Sequence, residues 1–415
     1  MNKYKGFYKK SVDERIKVLI DDNKYDTSIP TRLDTLDASH MIENAIGVFE
    51  VPLGVAPGFL INNRTYNVVM ATEESSVIAA ASNAAKISSM SGGFSTTINE
   101  RLMRGEIVFA NPKDSNALKN TLKASFETLK NIADEAYPSI IKRGGGVSKF
   151  EIRHLNNESY TFVILDVFMD TQEAMGANMM NTVLESISAY LESVTQETAL
   201  ISILSNLVTE ALVSATCIID PKYLKDGIKT AQNIELASEL AKQDIYRCAT
   251  HNKGIMNGVD AVVLASGNDT RAVNAAIYTF SALTGSPQPL ATWKLIDKML
   301  HGTITLPLPI GSVGGAISIH PKAKLFKSIL DYKTVKELME IIASVGLAQN
   351  FAALNALTTV GIQKGHMALH AKNIAISAGA PAEYLEEVTE RLKEESIINI
   401  DVAKKIIKEL TDYNN

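Results

Sequence analysis

Apolar positions recur along this chain with two different periods, and the change of period marks its elements. Ser11 followed three residues later by Glu14 has the form of a helix-capping box, so residues 1–20 are expected to hold a short helix. A polar, Asp-rich linker follows to about Ala38. Met41–Leu60 is apolar but interrupted by Gly47, Pro52, Gly54, Pro57 and Gly58, which predicts strands and turns rather than helix. Thr65–Ala71 is expected as another strand. Small residues from Ser75 to Ile87 predict an Ala-rich helix ending near Gly92-Gly93, with Glu73 and Glu74 just ahead of it, where the helix dipole favours acids. Residues 113–136 place Leu118, Leu122, Phe126, Leu129 and Ile132 at helical spacing.

The pattern then tightens into a unit of about 105 residues. Gly144-Gly145-Gly146 precedes two expected strands, Lys149–His154 and Thr161–Met169. A turn of small residues, Ala174–Asn178, leads into a long helix with Val183, Leu184, Ile187, Tyr190, Leu191 and Val194 on one face. Strands near 199–203 and 211–219 close the segment. Helix, strand, strand, helix, strand, strand is the order of a compact α+β unit inserted into a larger domain. Beyond it, helices are expected at 229–244 and from Thr270 to about Leu283. Between them lie a glycine-broken turn around Gly254 and Gly258 and an apolar run, Ala261–Ala265. Leu306–His320 is broken by Gly and Pro and is expected as sheet edge or loop. Thr334 with Glu337 predicts the start of another capped helix, and its periodicity runs on to Gly379. Two short Glu- and Lys-rich helices follow the Ala380-Pro381 break. The expected domains are 1–110 with 216–360, an inserted 111–215, and a C-terminal flap, 361–415.

Composition narrows the function without choosing it. At 415 residues, 46% apolar and 21% charged, the chain has an ordinary globular make-up with room for two or three domains. A net charge of −5 with no long basic block argues against bulk nucleic-acid or membrane binding. The longest apolar runs, such as Phe162–Leu165, are too short to cross a bilayer, and the basic N-terminus lacks the apolar stretch of a signal peptide. Two cysteines, Cys217 and Cys248, with no CxxC spacing suit a reducing cytoplasm rather than a disulfide frame or thiolate metal site.

The stretch THNKGIMNGVDAVVLASGNDTR, Thr250–Arg271, concentrates the candidate chemistry. It sets Lys253 and Asp269 sixteen residues apart, and a lysine buried beside a carboxylate would be costly unless paired for a purpose. By residue type alone Lys253 could stabilise an oxyanion, serve as a base, form a Schiff base, or sit solvated on the surface. Arg247 could grip a carboxylate in bidentate fashion. Asp170 at a strand end, before Ala174, Met175, Gly176, Ala177 and Asn178, forms a helix start whose free N–H groups suit an anion. It lacks the GxGxxG fingerprint, so dinucleotide binding competes there with a plain helix start. His366 and His370 share a helix face, but no third ligand or HExxH completes a metal site. Cys248 beside Arg247 reads as a nucleophile or, more simply, a small core residue.

Taken in order, nine stretches resemble hydroxymethylglutaryl-coenzyme A reductase of the bacterial and archaeal class II form. They are MIENAIGVFEVPLGVAPGFLINN (41–63), TEESSVIAAASNAAK (72–86), KRGGG (142–146), DTQEAMGANMMN (170–181), ILSN (203–206), YRCATHNKGIMNG (246–258), ASGNDTRAV (265–273), VGLAQN (345–350) and GHMALHAKNIA (365–375). The resemblance spans nearly the whole chain. It implies an α+β fold: a large mixed α/β substrate domain, an inserted ferredoxin-like dinucleotide-binding domain and a helical C-terminal flap. It implies Glu74, Lys253, Asp269 and His366 as catalytic residues, with Glu74, Lys253 and Asp269 in one hydrogen-bond network. Ser76, Arg247, Asn257 and Gln349 fall on its substrate contacts, and Asp170 with Ala174–Asn178 on its coenzyme motif. The implied partners are hydroxymethylglutaryl-CoA, mevalonate, CoA, NADH or NADPH, and a second copy of the chain, with the active site at the subunit interface and no metal. The charge of Asp170 tilts the coenzyme toward NADH. The chain departs from the resemblance at Phe7-Tyr8-Lys9-Lys10, where an arginine toward CoA is expected, and at Thr270, where an aromatic is common. A CoA-thioester hydrolase or lyase using the same side chains without nicotinamide is the competing expectation.

Overall fold

The computed structural model describes residues 3–359, 361, 371–395 and 397–413. Its described strands are β1 (Leu53–Ile61), β2 (Arg64–Ala71), β3 (Phe94–Ile98), β4 (Met103–Ala110), β5 (Gly146–Asn156), β6 (Thr161–Asp170), β7 (Ala199–Ser205), β8 (Leu212–Ile219), β9 (Ala291–Ile296) and β10 (Met299–Pro307). They form two sheets. The larger runs β2-β1-β3-β8-β10-β9, antiparallel except where β1 meets β3. Its two hairpins turn at Asn62-Asn63 and Asp297-Lys298, all four residues with positive φ, the geometry that matches the right-handed twist of the flanking strands.

The smaller sheet runs β5-β6-β4-β7 and is antiparallel throughout. With helices Ser115–Ala124 and Phe126–Ala136 after β4, and Ala177–Thr195 after β6, it has the β-α-β-β-α-β order of a ferredoxin-like unit. The expected architecture is therefore present, but its strand membership differs. The pattern begins with β4, ahead of residue 111, and ends with β7. β8, expected to close the unit, is instead a central strand of the larger sheet, between β3 and β10. The single helix expected over 113–136 breaks at Ser125, whose hydroxyl donates to the Thr121 carbonyl at 2.8 Å and competes with the helical ladder.

Two long helices frame the larger sheet. The glycine-broken turn expected near residue 254 is absent, because Ile245–Ala265 is one continuous helix. Gly258 serves packing: a Cβ there would lie 2.9 Å from the Gln349 Cβ and 3.2 Å from the Val345 carbonyl oxygen. On the facing helix, Val335–Thr359, a Cβ on Gly346 would lie 3.0 Å from Val259 Cγ2. The two helices thus cross more closely than side chains there would allow. Val335–Thr359 starts as expected with the Glu337 N–H on Thr334 Oγ1 at 3.2 Å. The Glu337 carboxylate, however, returns to the Lys333 N–H at 2.6 Å rather than to Thr334.

That helix corrects the expectation that no apolar stretch is long enough for a bilayer. It is long and apolar enough by composition, yet 72% of its most apolar window is buried inside the fold, so it is a core helix here. Of Met41–Leu60, only the part from Leu53 is strand. A short helix, Thr35–Met41, precedes it, and residues 42–52 carry no regular structure. Two helices near the C-terminus, Leu385–Glu394 and Ile400–Tyr413, pack with residues 371–377 around Ala371, Ile374, Val388, Leu392, Ala403 and Ile406. This core is separate from the main one.

Candidate active site

Lys253 and Glu74 meet although 179 residues separate them in sequence. The Lys253 ammonium donates to Glu74 Oε2 at 2.9 Å. Lys253 stands midway along Ile245–Ala265, which packs against β2, and Glu74 lies in the turn that leaves β2. This turn is specified locally: the Glu74 N–H donates to Thr72 Oγ1 at 3.2 Å, and the Thr72 N–H to the Pro52 carbonyl at 3.1 Å. Ser76 then takes a left-handed conformation, φ 71°, before the Val77–Ser89 helix. A non-glycine residue in that region is uncommon and persists only where its surroundings hold it there.

The pair is open rather than buried, so of the alternatives for Lys253 the exposed placement is the one observed. The Lys253 and Glu74 side chains are 58% and 41% exposed. Asn257 lies one turn beyond Lys253 on the same helix face. Gln349, on the other long helix, packs at Gly258, and its Oε1 is buried with no protein partner. Arg247 projects about 120° round the helix from Lys253, by the 100° advance per residue, so the fold does not align those two cations.

Asp269 is not joined to Lys253. It caps the Thr270–Ser281 helix, accepting from the Arg271 and Ala272 N–H groups at 2.9 and 3.2 Å, and pairs with the Arg271 guanidinium at 3.1 Å. Its partial burial works to raise the carboxyl's pKa. The guanidinium and the two amides outweigh that, and the pKa falls below the usual range. The expected Glu74–Lys253–Asp269 network is thus a Glu74–Lys253 pair with Asp269 tied up beside an exposed arginine. His366 and His370 lie outside the described residues.

Around this centre the buried polar groups are structural. Asn252 is buried and satisfied: it donates to the Gln288 carbonyl at 2.9 Å and accepts from the Leu290 N–H at 3.0 Å. His251 is buried against the Ala291 carbonyl at 2.9 Å and Asn350 at 3.1 Å, and burial pulls its pKa down to about 4. Cys248 is buried, and burial raises its thiol, the opposite of an activated nucleophile.

Asp170 ends β6, and its carboxylate accepts from the Gln172 backbone and side chain, both at 2.8 Å. Gly176 has φ 88°, and a Cβ there would sit 2.4 Å from Thr171 Cγ2, so the turn requires glycine. No side chain caps the helix that starts at Ala177, which leaves its first N–H groups to another acceptor. Residues that the sequence did not single out hold this turn. Arg101 is 5% exposed and donates to the Gln172, Ala174 and Ile310 carbonyls. Glu173 accepts from the Ser312 hydroxyl and from the Val335 N–H at 2.7 Å, tying the turn to the start of Val335–Thr359. Among the described residues, no cluster of His, Cys, Asp and Glu is arranged to hold a metal ion.

Comparison with known proteins gives the class first. The similar solved structures are reductases. The chain superposes on 3-hydroxy-3-methylglutaryl-coenzyme A reductase from Streptococcus pneumoniae with a TM-score of 0.84 and 39% identity, covering 98% of this chain and 99% of that one. A class II form of that enzyme, solved bound to NADPH in open conformations, gives 0.83 and 39% over 86% of this chain and 100% of that one. Among curated relatives, the 3-hydroxy-3-methylglutaryl-coenzyme A reductase of Archaeoglobus fulgidus is 40% identical over 98% of this chain and 94% of its own. The probable reductase of Borreliella burgdorferi is 35% identical over 81% and 77%. The profile of hydroxymethylglutaryl-coenzyme A reductase matches residues 11–371. The chain belongs to the hydroxymethylglutaryl-coenzyme A reductase family and is an oxidoreductase acting on that thioester. These likenesses support the reductase and not the nicotinamide-independent hydrolase or lyase.

Proposed function

We propose that the Lys253–Glu74 pair is the centre at which this chain reduces the thioester of hydroxymethylglutaryl-CoA to mevalonate and CoA. The observation that carries this reading is an ammonium held 2.9 Å from a carboxylate in an open turn beside a strained Ser76. Lys253 stabilises the oxyanion that develops on the thioester carbonyl. Glu74, whose open carboxylate first takes up a proton from solvent, delivers it to the aldehyde oxygen as hydride reduces the carbonyl to the alcohol. His366 protonates the departing CoA thiolate, a role that rests on the resemblance. Asp269 trades Arg271 for the Lys253 ammonium once substrate arrives. Its present partner is 90% exposed, and an exposed pair is worth about 0–1 kcal/mol, so the exchange is cheap. Ser76, Arg247, Asn257 and Gln349 bind substrate, and the orphan Gln349 Oε1 gains the donor it lacks.

The coenzyme is read onto the turn from Asp170 to Asn178. Its uncapped helix start suits a pyrophosphate, and Gly176 lets the chain close tightly on Thr171 so that this helix start is formed. When bound, the nicotinamide supplies hydride, and a thioester needs two to become an alcohol. Asp170 repels a 2′-phosphate and so tilts the choice toward NADH, although the S. pneumoniae neighbour was solved with NADPH. We read the small domain as β4 through β7, about 103–205, because those strands share one sheet, and the C-terminal helices from residue 371 as a flap with its own core. A homodimer in the cytoplasm completes the reading; exposed Ile46 and Phe49, on the segment without regular structure, are surface that a second copy would cover.

The test is steady-state turnover with both coenzymes, followed by loss of the reduced nicotinamide's near-ultraviolet absorbance. Two coenzymes consumed per CoA released is the expected stoichiometry, and CoA release without coenzyme oxidation would sink the reading. Asp170→Ala should raise the relative kcat/KM for NADPH; an unchanged ratio would remove the charge argument.

A further inference from the structure

Both chain crossings between the two sheets lie at one spot. Residues 99–102 carry the chain from β3 to β4, and residues 206–211 carry it back from β7 to β8. The connectors touch, with the Leu102 N–H donating to the Glu210 carbonyl at 3.0 Å. Arg101 sits in the first connector, and its buried guanidinium faces two ways. Nη1 reaches the Gln172 carbonyl at 2.5 Å and the Thr171 hydroxyl at 3.3 Å, and Nη2 reaches the Ala174 carbonyl at 2.8 Å and the Ile310 carbonyl at 2.6 Å.

Three of these acceptors belong to the turn before the Ala177–Thr195 helix, and the fourth to the loop after β10. Asn268 holds that loop from the other side, accepting from the Gly311 N–H at 2.8 Å and donating to the Gly311 carbonyl at 3.0 Å. A Cβ on Gly311 would lie 2.6 Å from the Met175 nitrogen, so the loop and the turn are in close contact. Asn268 is the residue before Asp269. Hydrogen bonds and two peptide units therefore connect the turn at residue 170 to the turn at residue 269, through one arginine.

We propose that Arg101 is a positioning residue for the reduction, registering the coenzyme turn on the frame that carries Asp269 and Lys253; this rests on the coenzyme reading above. A buried guanidinium is an expensive way to gain stability alone, since an apolar joint of similar volume often serves as well or better. What the guanidinium adds is a planar fork that fixes an angle between two bodies, which a lysine's single ammonium cannot reproduce.

The experiment compares Arg101→Lys with Arg104→Lys, which makes the same change two residues along, at a side chain paired with Asp166 on β6. Arg101→Lys should raise the nicotinamide KM and lower kcat, together by on the order of 100-fold, the loss expected of a displacement near 1 Å. KM for hydroxymethylglutaryl-CoA should be unchanged, and Arg104→Lys should behave as the parent enzyme. Wild-type constants in Arg101→Lys, or losses shared by both variants and matched by their thermal stabilities, would overturn the proposal. If Arg101→Lys does not fold, Asn268→Ala cuts the same path from the other side and must lower kcat with KM for hydroxymethylglutaryl-CoA unchanged. Asp170→Ala separates the two failures. If it raises the nicotinamide KM while Arg101→Lys does not, the joint alone is wrong. If neither does, the coenzyme reading is wrong and the joint falls with it.

Discussion

Replacing Lys253 by alanine separates a catalytic ion pair from a stabilising one. The pair is short, 2.9 Å, but its side chains are 58% and 41% exposed. Solvent screening at such a site limits its value to about 0–1 kcal/mol. Packing adds little to that, because the helix meets its neighbour most closely at Gly258, on a different face from Lys253. Alanine is also a slightly better helix former than lysine. The folding free energy of Lys253→Ala should therefore lie within about 1 kcal/mol of the parent, by urea denaturation. Turnover is another matter, since losing one oxyanion-stabilising donor costs on the order of 10²–10³ in kcat, about 3–4 kcal/mol of barrier. The assay is steady-state coenzyme oxidation at saturating substrate, on the same preparation used for unfolding. Retention of more than about a tenth of kcat would refute the oxyanion role. A loss of activity matched by a large loss of stability would refute the claim that the pair is functional rather than structural.

The helix crossing makes a paired prediction. Gly258→Val should destabilise by about 1–3 kcal/mol, because a Cβ there already falls 2.9 Å from Gln349, whereas Gly254→Ala, with 3.9 Å to Ala353, should stabilise by about 0.5–1 kcal/mol. Urea midpoints decide it, and equal effects would contradict the packing account. His251 sets a pH dependence. Its imidazole is pulled from 6.5 to about 4 by burial, so the unfolded chain binds the proton first as pH falls. Stability from this group is complete above pH 6.5 and lost progressively down to about 4, by roughly 3 kcal/mol in all. In His251→Gln the slope of stability against pH in that window should flatten, and an unchanged slope would assign the acid sensitivity elsewhere.

Local chemistry was legible in the sequence, and long-range pairing was not. The Ser11–Glu14 box forms as the spacing says, with hydrogen bonds in both directions. A compact α+β unit followed from its element order and its ferredoxin-like form from the resemblance, but β4 was missed because Met103–Ala110 precedes the Asn111-Pro112 break that looked like a boundary. Glycines misled most. Gly254 and Gly258 read as a turn by propensity, yet both lie within one helix, and Gly258 lets another helix approach, which depends on residues about 90 positions away. At the site, the resemblance brought Glu74 and Lys253 together, whereas spacing left Lys253 undecided. Asp269 was assigned to the same network, and only geometry shows it bound to Arg271. Arg101 carried no signal at all: one arginine in a short connector becomes important only once two sheets meet around it.

The most direct measurement of the central claim is Glu74→Gln assayed on two substrates, hydroxymethylglutaryl-CoA and free mevaldehyde, with the Lys253 ammonium intact. If the Glu74–Lys253 pair is the reducing centre, the amide still accepts a hydrogen bond from Lys253 but has no proton to give, and mevaldehyde reduction collapses along with the full reaction. Mevaldehyde reduction at the parent rate would contradict it.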